Sequence, residues 1–91
     1  NIYYFLADQK YVTVRHKNGS VLIDETLKEL EQEFGNQFIR IHRNALISVN
    51  YLDGLEVVSS GQYQVRCREL DDRLAVSRRH LPFLRDRIQK L

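Results

Sequence analysis

FIRIHRNA, residues Phe38 to Ala45, is the stretch around which the rest of the chain is organised. It begins with strand alternation: Ile39 and Ile41 fall on one face, and Phe38, Arg40 and His42 on the other. The alternation ends in a knot of polar and cationic side chains, Arg40, His42, Arg43 and Asn44, and apolar residues resume at Leu46–Val49. A strand that stops for Arg-Asn and then restarts offers planar hydrogen-bonding groups at an accessible corner. Guanidinium and carboxamide are the two groups that pair bidentately with guanine and adenine edges. Arg and Asn are also ordinary loop residues, so the stretch by itself reads first as a solvated corner.

Ninety-one residues bound one domain, which buries roughly 60–65% of its unfolded surface. The chain is 43% hydrophobic and 29% charged, too apolar for disorder. No apolar run approaches the roughly 20 residues of a membrane helix, so no membrane association is expected. A secretory signal is lacking and the first residue is Asn rather than Met, so a domain cut from a longer protein is expected. Cys67 is the only cysteine, which excludes an internal disulfide and makes a reducing cytoplasm the natural setting. Its phase with Tyr63 and Val65 makes it a small core hydrophobe rather than a nucleophile.

Net charge is +2, but its distribution is lopsided. Five acids, Asp24, Glu25, Glu29, Glu31 and Glu33, fall within ten residues alongside one base, Lys28. The remainder is strongly basic and rich in Arg, which suits an anionic, phosphate-bearing partner.

Along the chain, Ile2–Leu6 and Tyr11–His16 read as strands separated by the polar break Ala7-Asp8-Gln9-Lys10. Asn18-Gly19 predicts a type I′ turn leading into a third strand at Val21–Ile23. Thr26 and Glu29 have the spacing of a capping box, Leu27, Leu30 and Phe34 share one helical face, and Gly35 ends the helix. Phosphate would repel this acidic helix, so it is expected to face away from any nucleic acid. Asn50–Gly54 reads as a turn-rich connection, and Leu55–Val58 with Tyr63–Arg68 as a hairpin around Ser59-Ser60-Gly61. Glu69–Asp72 turns the chain into a last strand, Arg73–Val76. Ser77–His80 reads as an irregular shoulder, with Ser77 a candidate cap. The helix that follows carries Leu81, Leu84, Ile88 and Leu91 at helical spacing, with Pro82 in its first turn. The fold class is therefore mainly β, with two short helices.

Catalytic and metal chemistry find no support. The three histidines, His16, His42 and His80, lack metal-site spacing, and no Gly-rich phosphate loop or nucleophile elbow occurs. The chain does not read as an enzyme and no cofactor is expected. Three basic breaks at strand ends are left: Gln9-Lys10, Arg40–Asn44 and Ser77–His80. Two adjacent arginines, Arg78 and Arg79, near a helix N-terminus oppose the helix dipole, a mild cost that favours a functional role.

Those three breaks, in the stretches ADQKYVTVRHKNG, TLKELEQEFGNQFIRIHRNALIS and LAVSRRHL, make the chain resemble LytTR-type DNA-binding domains of bacterial response regulators, particularly the branch of the alginate regulators. The resemblance covers nearly all of residues 1–91 and implies an elongated, antiparallel β fold whose loops enter successive major grooves of double-stranded DNA. It implies DNA contacts by Lys10, Arg43, Asn44, Arg78, Arg79 and His80. Arg43 and Arg79 would read bases, and Lys10, Asn44 and Arg78 would hold phosphate. Arg40, His42 and Ser77 belong to the motif as supports of the corner. It further implies a longer parent protein with a receiver domain acted on by a sensor kinase, dimerising on repeated half-sites in promoters.

Two other readings fit the residues: a β-rich protein-interaction module docking an acidic partner through its Arg-rich corners, and an RNA-binding domain stacking bases on Tyr3, Tyr4 and Tyr11. A salt titration separates them. Duplex DNA should be preferred over single strands, with log K falling steeply against log salt; salt-insensitive binding or a preference for single strands would contradict the DNA reading.

Overall fold

The computed structural model describes residues 1–90. Eight strands form two antiparallel sheets. The first holds β1 (Ile2–Ala7), β2 (Val12–His16), β3 (Gly19–Ile23), β4 (Phe38–His42) and β5 (Ala45–Ser48), in the order β3-β2-β1-β5-β4. The second holds β6 (Leu52–Ser59), β7 (Gln62–Cys67) and β8 (Arg73–Val76) in sequential order. Between β3 and β4 lies α1 (Leu27–Phe34), and α2 (Leu81–Gln89) follows β8. The molecule measures 33 × 25 × 24 Å, longer in one direction than in the other two.

The alternation of each strand decides how these layers stack. On one face of the first sheet, Phe5, Val12, Val14 and Leu46 pack against Leu27 and Leu30 of α1. Phe5, Phe34 and Phe38 stack there with ring centroids 4.9–5.7 Å apart, each such pair adding about 0.5–1.5 kcal/mol beyond its buried area. The other face carries Tyr4, Ile39, Ile41 and Ile47, which meet Leu52, Val65, Cys67, Leu74 and Val76 of the second sheet. Leu81 and Leu84 of α2 close the end of that core. The first sheet is therefore the middle layer, covered on both sides.

The capping box forms as its spacing predicts: the Glu29 amide donates to Thr26 Oγ1 at 3.1 Å, and the Thr26 amide donates to the Glu29 carboxylate at 2.8 Å. These bonds hold the Glu29 carboxyl below its ordinary pKa. Gly35 ends the helix with φ 55°.

Several local readings are corrected. The turn between β2 and β3 pairs His16 with Gly19, so its two central residues are Lys17 and Asn18, neither of which has a positive φ; Gly19, just after them, has φ 140°. The type I′ turn is absent because the buried phase of Val12 and Val14 sets the register one residue away from the Asn-Gly position. Tyr11 precedes the second strand and is 46% exposed. Leu52, Asp53 and Gly54 belong to β6 rather than to a connection; the turn proper is the 3-10 segment Val49–Tyr51. Asp53 is held there by ion pairs to Arg66 and Arg68 on the neighbouring chain segment. Ser77 makes no capping bond to a backbone amide. Leu91 lies outside the described residues.

Cys67 is 3% exposed, and burial pushes its thiol pKa up to about 11. Thiol reagents should therefore modify the native chain only as fast as it unfolds; rapid stoichiometric reaction without denaturant would show that the phase of β7 is wrong.

Candidate nucleic-acid interface

The stretch that opens β4 closes into a tight hairpin. His42 pairs with Ala45, leaving Arg43 and Asn44 as the two turn residues, both exposed. Two side chains of β4 hold the turn from behind. His42 Nδ1 accepts from the Asn44 amide at 3.1 Å, and Arg40 Nη1 donates to the Arg43 carbonyl at 3.1 Å. Arg40 Nη2 donates to Glu31 of α1 at 2.8 Å, while its Nε is buried without a partner. A guanidinium so tied has one end on the helix and one on the turn.

The other two breaks flank this turn. On one side β1 pairs with β5, and the Ala7 amide donates to the Asn44 carbonyl at 2.8 Å. The loop that follows is shaped by Asp8, whose carboxylate accepts from the Lys10 and Tyr11 amides at 3.0 and 3.1 Å. The Tyr11 and Lys10 amides lower the Asp8 pKa, so this carboxylate stays ionised while its charge is partly satisfied by the backbone. Lys10 and Arg43 line one cleft of about 360 Å³. On the other side the Ser77 amide donates to the Ile41 carbonyl at 3.0 Å, joining the end of β8 to the end of β4.

Arg78, Arg79 and His80 form a single 3-10 turn between β8 and α2. Ser77 Oγ lies 2.5 Å from His80 Nδ1, so the serine caps the imidazole rather than the helix. Arg78 reaches over the β6–β7 turn, its Nε donating to the Gly61 carbonyl at 3.4 Å. Gly61 has a φ of 75°, which favours glycine, and the exposed Arg78 guanidinium lies over it and would have to move aside for a Cβ. Arg79 is exposed.

Ion pairing divides the cations into two sets. Arg15, Arg40, Arg66, Arg68, Arg73 and Lys90 each face a carboxylate within 4.0 Å. Among the described residues Lys10, Arg43, Arg78 and Arg79 of the three breaks have no such partner, and neither do Lys17, Lys28, Arg85 and Arg87 elsewhere. A concavity of about 550 Å³ is lined by Arg15, Arg66 and Arg73 with Asp53, Glu69, Asp71 and Asp72 and shares no residue with the corner. Its charges are largely neutralised internally, so its size carries no functional weight.

One expectation fails in part. The segment leading into α1, Asp24–Lys28, lines the same cleft as Lys10 and Arg43, so the acidic segment flanks the corner instead of lying wholly away from it. The attraction between Glu31 and Arg40 brings it there. Tyr11, expected to open the second strand, lies outside it, and its exposure beside Lys10 makes it a further candidate contact. The signal was its phase opposite to Val12 and Val14.

With this geometry in place the comparisons are specific. The family model for the LytTr DNA-binding domain matches residues 1–89, and the chain belongs to that family. Over 91 residues it is 47% identical to the positive alginate biosynthesis regulatory protein of Pseudomonas aeruginosa, covering 99% of this chain and 37% of that protein. The chain thus spans little more than a third of that relative's length. Its fold matches the LytTr DNA-binding domain of a putative methyl-accepting/DNA response regulator from Bacillus cereus, with a TM-score of 0.84 at 20% identity over 96% of this chain and 80% of that one. The family is one of DNA-binding domains, not of enzymes, and it does not favour the reading as a module for an acidic protein partner. No helix of the described residues is long and apolar enough to cross a membrane.

His80 yields a pH prediction. Burial lowers its pKa, as do Arg40, Arg79 and His42, and Glu31 opposes them. The unfolded chain, with a His pKa of about 6.5, then binds the proton more readily than the folded one. Stability from the neutral imidazole is present above about pH 6.5 and is lost as pH falls through the folded pKa. Denaturation of the wild type and His80→Gln should give a stability difference that moves against the wild type below about pH 6.5; parallel pH profiles would contradict it.

Proposed function

We propose that this domain binds specific sites on double-stranded DNA by presenting its loops to successive major grooves, as the output domain of a two-component transcriptional regulator. One observation carries the reading: the Arg43-Asn44 turn is hydrogen-bonded on one side to the end of β1 and joined through β4 on the other to the start of the Ser77–His80 shoulder. Lys10, Arg43, Arg78 and Arg79, none with a carboxylate partner, are thereby carried on neighbouring strand ends, where phosphate can supply the missing anions.

Within that surface Arg43 and Arg79 read bases, because a planar guanidinium matches two acceptors on guanine. Lys10, Asn44 and Arg78 hold phosphates, and His80 opens the C-terminal contact. Arg40, His42 and Ser77 keep the corner in shape through the bonds described above. The longer parent protein would dimerise on two half-sites about one helical turn apart. In the cytoplasm, a sensor kinase would act on its receiver domain. Support for this setting comes from the 47% identical relative, whose name is that of a regulatory protein.

Binding of single variants to matched and single-base-substituted duplexes at two salt concentrations tests the division of labour. Arg43→Ala and Arg79→Ala should each lose about 1–3 kcal/mol on the specific site and relax preference at one base position. Lys10→Ala should weaken all duplexes more evenly and shallow the salt slope by about one unit. Equal weakening of every duplex by both Arg variants would make them phosphate clamps and remove their base-reading role.

A further inference from the structure

β3 is a free edge of the five-stranded sheet. The backbone phase shows which of its groups are unpaired. The Asp8 amide donates to the Tyr11 carbonyl and the Lys17 amide to the Asn1 carbonyl, so the odd-numbered residues of β2 bond toward β1. Val12, Val14 and His16 then bond toward Ile23, Val21 and Gly19, and the N–H and C=O groups of Ser20 and Leu22 point outward. Edges of this kind are normally blunted by charges, proline or bulges. The strand, Gly-Ser-Val-Leu-Ile, has none of these, and its ladder to β2 has no register break. Val21 and Leu22 are 51% and 62% exposed, on opposite faces. By contrast β6, also an edge, carries two register breaks and ties Glu56 to Arg66 and Arg73.

Charge singles out the partner. Lys17 stands before the strand and Asp24 and Glu25 after it, and none of the three has a salt bridge among the described residues. A cation at one end and anions at the other complement a second copy of the same strand only when the two run antiparallel.

We propose that two copies of this chain associate through β3, antiparallel about a two-fold axis at Val21, so that the sheet continues from one copy into the other. Ser20 then exchanges backbone hydrogen bonds with Leu22 of the second copy, and Val21 packs on Val21. The Lys17 turn of each copy meets Asp24 and Glu25 of the other. A five-residue ladder is small beside the roughly 1,200 Å² of a stable interface, so the association is a concentration-dependent equilibrium. The basic corner lies at the Ile23 end of the sheet, since Ala7 pairs with Val12 and Val12 with Ile23. The two-fold turns the two corners to opposite ends, so this contact is separate from binding at neighbouring half-sites and does not depend on the DNA reading.

The test is sedimentation of the 91-residue chain without DNA. Its mass should shift from one chain toward two as concentration rises. Lys17→Glu and Glu25→Lys should each abolish the shift, and the double variant should restore it. Val21→Cys should form a covalent dimer on mild oxidation, because directly opposed Cβ atoms lie about 4.5–5.5 Å apart. Leu22→Cys should not, because its symmetry mate lies beyond the roughly 7 Å that a disulfide spans. A chain that stays monomeric at every concentration overturns the proposal. So does loss of association in Val57→Lys of β6 but not in Val21→Lys, or failure of the doubly reversed, natively folded variant to recover.

Discussion

Two backbone hydrogen bonds hold the basic end of this molecule together: Ala7 N–H to the Asn44 carbonyl, and Ser77 N–H to the Ile41 carbonyl. Each joins segments far apart in the chain, and each exists because a strand ends where its neighbour turns. β5 is buried along its whole length in the middle layer, so its position fixes where β1 and β4 stop. The turn between β4 and β5 is thereby placed between the other two breaks. A loop supported by buried strands on both sides can hold its side chains in a fixed arrangement without ordering itself on binding, which lowers the entropic cost of recognition.

Electrostatics divides the arginines by task. Those on β7 and β8 and in the Arg15 region are spent on carboxylates within the fold, where exposed pairs contribute modestly to stability. Arg40 serves the corner from inside, with Glu31 on one side and the Arg43 carbonyl on the other. Lys10, Arg43 and Arg79 make neither an ion pair nor a side-chain hydrogen bond among the described residues, so no such contact has to break before they meet an anion. Arg78 is intermediate, because its contact with Gly61 must loosen before its guanidinium can turn fully outward.

Much of the fold was legible because its signals are local and agree with burial. The alternation of Phe38–His42 and of Tyr63–Cys67, the Thr26–Glu29 box and Gly35 each act within a few residues. The failures arose where a tertiary contact overrode a local preference. Asn18-Gly19 is a strong turn pair, yet the packing of Val12 and Val14 under α1 shifted the turn by one residue. Asp53-Gly54 looks like a turn but is drawn into β6 by Arg66 and Arg68, with Gly54 leaving room for the Arg66 guanidinium. Net charge alone turns the acidic helix away from phosphate, but one of its acids, Glu31, has a specific partner in the corner, Arg40. The three basic breaks could be read as candidates from strand ends alone. Their proximity could not, because it depends on the pairing of β1 with β5 and on the meeting of β4 with β8.

On the proposed reading, these three breaks act as one surface on duplex DNA. Backbone amide NMR of the labelled domain, titrated with a duplex carrying its specific site, measures this most directly. Amides of Gln9 and Lys10, of Arg43 and Asn44, and of Ser77 through His80 should shift together with one common dissociation constant, leaving the β2–β3 turn and the Arg15–Asp72 concavity unmoved. Shifts confined to one of the three segments, or centred on that concavity, would contradict it.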